Sequence, residues 1–374
     1  AMEGGQGLLT GSEPPSLSTL AWNFFVLGAT AFGGPAVHIS MFKKEFVESK
    51  RWMPLERFME LFAMANCLPG PSSTQVAYAI GITQGGIKGG LVSGFMFSFP
   101  GMIFLTILGF VTSSLSEQIA EPKSAANGVA IACSAVGVSL VFIAVVGLVK
   151  KVVFDAGDTR KLGMICCGSA AVCIVANPPP AWLNPVLIIL GGAITIAFPV
   201  VKEVKDGSCQ AAGRTGFDAR VGVAVFALYF AVAALTIYGD AAHHDWWFMD
   251  FLTAGMFVWG GGPVVLPMLM TYLTPEWISP TVFLTGIAFA EMSPGPVFNM
   301  SCYLGVQIAL ANGKSWLPTT ALCWAGLMGP GVILVFGAMP LWEKLRKYRA
   351  YQLALPGLNA ACVGLLVSTV FVVY

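Results

Sequence analysis

Two ten-residue stretches hold the side chains best placed to do chemistry. In Asn66-Cys67-Leu68-Pro69-Gly70-Pro71-Ser72-Ser73-Thr74-Gln75 and in Glu291-Met292-Ser293-Pro294-Gly295-Pro296-Val297-Phe298-Asn299-Met300, a Pro-Gly-Pro triplet interrupts an apolar run. Proline removes a backbone donor and glycine permits a sharp reversal, so a helix must stop at each triplet and start again. The restarted helix has proline near its first position, where no hydrogen bond is lost, and its first N–H groups lack a partner within the helix. Together with the positive end of the helix dipole, those groups make an anion site that needs no charged side chain. Ser72, Ser73, Thr74 and Gln75 follow the first triplet and Asn299 follows the second. All of them can donate to a tetrahedral oxyanion.

Two further breaks have the same character, Gly33-Gly34-Pro35 and Gly260-Gly261-Gly262-Pro263. His38 stands three positions after Pro35, in the first turn of a restarted helix, as a candidate ligand or proton carrier. Glu60 and Glu291 are the acids well inside apolar segments, where a carboxylate is a functional suspect by default. Glu291 abuts a break and aligns with Asn66, so it is the stronger candidate for coupling proton movement to an anion. Glu60 has Arg57 and Lys44 as neighbours that could pair with it. Plainer readings stand beside these: hydroxyls in membrane helices often bond their own backbone, and a lone histidine is most often structural. The expected site is therefore Gly33, Gly34, Pro35, His38, Pro69, Gly70, Pro71, Ser72, Ser73, Thr74, Gln75, Gly261, Gly262, Pro263, Pro294, Gly295, Pro296 and Asn299, with Glu291, Glu60 and His38 for proton coupling. No catalytic residue, cofactor or metal is expected.

The elements that must hold these residues follow from composition. Of the 374 residues, 56% are hydrophobic and 10% charged, against roughly 25% charged in soluble domains. Five windows free of charge, 89–116, 126–149, 162–201, 315–342 and 351–374, each exceed the roughly 20 residues that cross a bilayer. The fold class is an all-α polytopic membrane protein, since lipid leaves the backbone of a spanning segment no outside partner. A net charge of +1 without a basic tract excludes nucleic acid as a partner, and the nine cysteines form no CxxC pair. The first sixteen residues are polar and Gly-rich and do not form a signal peptide.

About eleven apolar segments are expected, near 17–47, 58–84, 89–116, 126–149, 162–177, 182–201, 221–239, 251–275, 281–311, 315–342 and 351–374. The first four and the last four share an order of landmarks: Gly-Gly-Pro, Trp, Pro-Gly-Pro, Tyr and Pro-Gly. Trp52 and Trp277, Pro69 and Pro294, and Tyr78 and Tyr303 are each 225 positions apart, the Gly-Gly-Pro pair 228 and the Pro-Gly pair (100 and 330) 230. This divides the chain into a polar tail (1–16), a first repeat (17–149), linking helices (150–239) and a second repeat (240–374). Three intervening crossings invert the second copy, an arrangement found in transporters together with broken helices.

Seventeen of the 20 Lys and Arg residues fall in four clusters, at 43–57, 150–161, 202–220 and 344–349. All four lie on one side only if the broken segments are re-entrant hairpins, two entering from each face, with their tips near the midplane. The positive-inside rule then makes that side cytoplasmic, with the N-terminus inside and the C-terminus outside.

Phe32-Gly33-Gly34-Pro35 with His38, Trp52, Leu68-Pro69-Gly70-Pro71 with Ser73-Thr74-Gln75, and Gly81 resemble the amino-terminal domain of the chromate ion transporter family. Phe257 to Pro263 with Pro267, Trp277, Pro294-Gly295-Pro296 and Tyr303-Leu304-Gly305 resemble the carboxy-terminal domain of its two-domain members. The resemblance spans nearly the whole chain. It implies secondary transport of chromate in a plasma or bacterial inner membrane, with sulfate as a similar oxyanion. The chain departs from the family pattern at Asn66, Ser72 and Glu291. An oxyanion channel built on the same tips is the alternative. An intramembrane enzyme using His38, Glu60 and Ser72 belongs to another class and has no HExxH, GxSxG or paired-acid motif behind it. The expected partners are the oxyanion and the lipid bilayer, and a homodimer stays open.

Overall fold

The computed structural model describes residues 15–119, 145–146, 149–154, 158–176, 183–200, 219–240, 246–258, 262–345 and 348–372. Among these residues there are helices and turns and no strand. The expected segment 126–149 falls almost entirely outside them.

Helix α1 (Leu17–Thr30) starts where the Ser16 hydroxyl accepts from the Thr19 N–H, and it stops at Ala31. Gly33 (φ 97°) and Gly34 (φ 76°) take left-handed conformations, and α2 (Gly34–Phe42) begins with Pro35 in its first turn. Helix α2 runs on as a π-helical stretch, Lys43–Ser49. Phe24 stacks on Phe46 with ring centroids 4.9 Å apart. In one continuous helix those residues would lie about 33 Å apart, so the chain has folded back into an antiparallel hairpin with its tip at residues 31–34.

A second hairpin follows. Helix α3 (Leu55–Cys67) stops at Pro69-Gly70-Pro71, where Gly70 has φ 119°, and α4 (Ser72–Ile119) leads back. The Gln84 amide closes the open end by donating to the Trp52 carbonyl at 3.1 Å. Helix α4 is not one long rod. Gly86 has φ 61°, and the Ser93 hydroxyl donates to the Ala77 carbonyl at 2.9 Å, sixteen residues back. The arms 72–85 and 87–119 are thus antiparallel, packed so closely that a methyl on Gly81 would strike Gly89 and Ser93. The sequence places a segment end at this point.

The second repeat builds the same shape from α8 (Trp247–Phe257), α9 (Gly262–Leu273), α10 (Pro280–Met292), a 3-10 turn (Val297–Asn299), α11 (Met300–Ala311) and α12 (Trp316–Leu345). The Asn312 amide reaches the Trp277 carbonyl at 3.5 Å, matching the bond from Gln84 to Trp52. The Lys314 ammonium lies 5.7 Å from the Trp247 ring and 5.6 Å from the Trp277 ring, bringing the open ends together.

Helices α5 (Thr159–Val175), α6 (Leu183–Ala197), α7 (Ala219–Asp240) and α13 (Arg349–Val372) complete the bundle. Helix α6 runs antiparallel to α13, with Gly191 against Gly357 and the Thr195 hydroxyl donating to the Ala354 carbonyl at 3.2 Å. Helix α7 packs on α12 where Gly222 meets Gly337 and Pro340. The Arg57 guanidinium bonds to Glu60 and to Glu343, which ties the start of α3 to the end of α12. Arg57, Arg220, Lys344 and Arg349, from three of the four basic clusters, therefore share one end of the molecule. Trp247, Trp277 and Lys314 occupy the other. Val223, Leu228 and Phe230 on α7, with Met164 and Val175 on α5, present apolar side chains outward. Such a surface belongs in lipid.

Candidate anion site at the crossed helix tips

The hairpin tips are joined crosswise between the repeats. The Gly70 N–H donates to the Val258 carbonyl at 2.8 Å, and the Gly295 N–H donates to the Ala31 carbonyl at 2.8 Å. Each Pro-Gly-Pro tip is thus bonded to the residue that ends the helix before the Gly-Pro break of the other repeat. The unbroken crossing helices are exchanged in the same way. A Cβ on Gly331 of α12 would lie 3.1 Å from Gly70 Cα and 3.0 Å from Pro71 Cδ. A Cβ on Gly101 of α4 would strike the Pro294 carbonyl and lie 2.7 Å from Asn299 Nδ2. The two Pro-Gly landmarks are therefore seats into which the opposite repeat's tip fits.

Among the expected site residues, His38 and Ser73 meet, with His38 Nδ1 3.1 Å from the Ser73 hydroxyl and His38 Nε2 3.2 Å from the Ala31 carbonyl. A carbonyl can only accept, so Nε2 carries a proton; in the neutral ring Nδ1 then accepts from Ser73. The ring also packs edge-on against Phe97. His38 thus links the first turns of α2 and α4 and shares its carbonyl partner with Gly295. Thr74 is wholly buried, and its hydroxyl has no hydrogen-bond partner among the described residues. Ser72 is half-buried at the start of α4. By helix geometry, the N–H groups of Ser72, Ser73 and Thr74 have no acceptor within α4, whose first backbone bond runs from Gln75 to Pro71.

The two amides donate to backbone carbonyls. Gln75 Nε2 donates to the carbonyls of Pro69 (2.8 Å) and Gly331 (3.1 Å). Asn299 Nδ2 donates to the Ser98 carbonyl (2.9 Å), while its oxygen accepts from the Trp324 indole (3.2 Å). Both hold a tip to the crossing helix of the other repeat. Gly262 opens α9, whereas Gly261 lies outside the described residues. Asn66 donates to the Phe62 carbonyl within its own helix. Glu291 is exposed at the end of α10, directly before the second tip. Glu60 is bonded to Arg57 at 2.9 Å and stands ten residues before Gly70, about 15 Å along the helix axis from the tip.

The described stretches that meet here, 28–40, 64–80, 94–106, 254–258, 262–268, 288–304 and 324–336, contain no Lys or Arg, and Glu291 is their one acid. An anion would be held by backbone N–H groups and hydroxyls alone. Ser98, Trp324, Ala31 and Val258 do not stand out in the sequence. Ser98 and Trp324 are ordinary residues of crossing helices, and the other two contribute only carbonyls. Nothing in residue type marks them, although Pro100-Gly101 and Pro330-Gly331 are visible as landmarks.

Residues 18–197 and 246–374 match the chromate transporter family. The chain belongs to the chromate transporter family. It is 24% identical to the chromate transport protein of Cupriavidus metallidurans over 361 residues, 96% of this chain and 82% of that protein. With the probable chromate transport protein of Synechococcus elongatus it shares 25% identity over 96% of this chain and 84% of the other. With the chromate transport protein of Pseudomonas aeruginosa the identity is 26% over 79% and 68%. No solved structure matches. As a chromate transporter family member the chain is an integral membrane transporter and not an enzyme.

Proposed function

We propose that this protein is a secondary transporter that moves chromate, and sulfate as a tetrahedral dianion of the same shape, across the membrane. The anion lies between the starts of α2 and α4, faced by the starts of α9 and α11. The observation that carries this reading is the wholly buried, unpartnered Thr74 hydroxyl at a helix start, in a layer without any Lys or Arg. A buried hydroxyl left without a partner costs free energy, and a ligand oxygen would recover it. The related chromate transport proteins support the choice of anion.

In this reading the hairpins re-enter the membrane, two from each face, and the basic end is cytoplasmic. The fold-back contact of Phe24 with Phe46 and the bond from Gln84 to Trp52 support the hairpins. Alternating access follows when one repeat rocks against the other about the crossed tips. Glu291 couples proton movement to the anion, because it is exposed beside a tip and carries no ion pair among the described residues that would hold it charged. His38 and Glu60 have partners that a proton-carrying step would have to release. Chromate uptake into proteoliposomes, with sulfate as competitor, tests the function. Saturable flux that sulfate inhibits is expected; no saturable flux of either anion would overturn it.

A further inference from the structure

Arg57 is only 3% exposed, and its guanidinium is bonded to Glu60, one turn along α3 at 2.9 Å, and to Glu343 near the end of α12. The first bond stays within repeat one. The second crosses to repeat two, at the basic end of the molecule and, at thirteen residues before Gly70, about 20 Å from the tip.

A buried ion group is a poor way to gain stability, because desolvation offsets much of the attraction and an apolar cluster could hold the same helices. Its particular property is that it separates readily only once water reaches it. The repeat also supplies an internal comparison. Shifting Arg57 and Glu60 by 225 positions gives Val282 and Thr285, and shifting Glu343 back by 230 gives Ser113. None is ionisable. Inverted repeats relate the two ends of the pathway, and the positions equivalent to this ion group carry no charge.

We infer that Arg57, Glu60 and Glu343 form a latch that holds the basic end of the pathway shut. Opening at the basic end requires α12 to draw Glu343 away from Arg57 while water enters to solvate the separated charges. This inference rests on the transporter reading above.

The test uses thiol labelling of Ser72→Cys from each side of oriented proteoliposomes, in a chain whose native cysteines are replaced. The latch is neutralised by Arg57→Met with Glu60→Gln and Glu343→Gln, and separately by Glu343→Gln alone. The triple variant should raise labelling from the basic side at least threefold relative to the other side. The single variant should shift the ratio in the same direction, and the exchange Arg57→Glu with Glu343→Arg should return it towards the parent. An unchanged ratio in folded Glu343→Gln protein would overturn the latch, whether or not the triple variant folds. Chromate flux by the parent in the same vesicles separates the two ideas: saturable flux with an unchanged ratio sinks the latch alone, and absent flux sinks the transporter reading.

Discussion

Gly70 gives its amide hydrogen to the carbonyl of Val258 at 2.8 Å, and the repeat relation carries that bond onto the one from Gly295 to Ala31, of equal length. Each repeat thus supplies one donor tip and one acceptor helix end. In the proposed rocking of one repeat against the other, movement would strain both bonds together, and the crossed pair would serve as the pivot. The carbonyls of Ala31 and Val258 end α1 and α8, so the negative ends of those helices are spent on protein donors. The positive ends of α2 and α4 point at no charged group among the described residues.

Close nesting of tip against crossing helix predicts a sharp difference between two glycines of similar setting. Gly101→Ala drives a methyl into the Pro294 carbonyl, whereas a methyl on Gly329 meets nothing within 4 Å. Thermal unfolding in detergent should show Gly101→Ala destabilised by about 1–3 kcal/mol, the range for overpacked cores. Gly329→Ala should stay within about 0.5 kcal/mol of the parent.

Thr74→Val keeps the side-chain shape and removes the unpartnered hydroxyl. The fold should be as stable as the parent or slightly more so, while chromate affinity falls about tenfold, the worth of one hydrogen bond to a charged group. Isothermal titration of the purified protein reads both the affinity and its salt dependence. Ser73→Ala should differ by also lowering stability, because His38 Nδ1 then loses its partner.

Local signals in the chain account for much of this architecture, and the boundary of what they reach is physical. Pro-Gly-Pro and Gly-Gly-Pro are instructions to stop a helix, so breaks at 33–35, 69–71 and 294–296 can be read directly from the sequence, as can the turn between 84 and 89. The roles of Gln75 and Asn299 cannot. An amide beside a helix start is equally suited to an anion or to a carbonyl, and the carbonyls these two reach, on Gly331 and Ser98, lie 256 and 201 residues away. Glu60 likewise sits within reach of Arg57 in sequence, but Glu343 enters that ion group from 286 residues away.

Glu291→Gln is expected to change pH dependence more than affinity. If a protonated Glu291 accompanies the anion, parent flux falls as pH rises through the titration of Glu291, and the neutral glutamine holds flux near its low-pH level. Flux measured from pH 5 to 9 checks this, and a flat profile in the parent would remove Glu291 from the coupling.

Hairpin topology predicts that Lys50 and Glu276, both exposed, lie on opposite sides of the membrane. Lys50→Cys should react with an impermeant maleimide only from the cytoplasm and Glu276→Cys only from outside. Lys50→Cys reacting only from outside and Glu276→Cys only from the cytoplasm would turn the broken segments into ordinary crossings.

The most direct measurement is a density map of the protein with bound selenate, recorded with the anomalous signal of selenium. The account predicts a peak between the first turns of α2 and α4, within hydrogen-bond reach of Thr74 and the N–H groups of residues 72–74. A peak confined to the basic end around Arg57 or Arg349, with none between the tips, would contradict it.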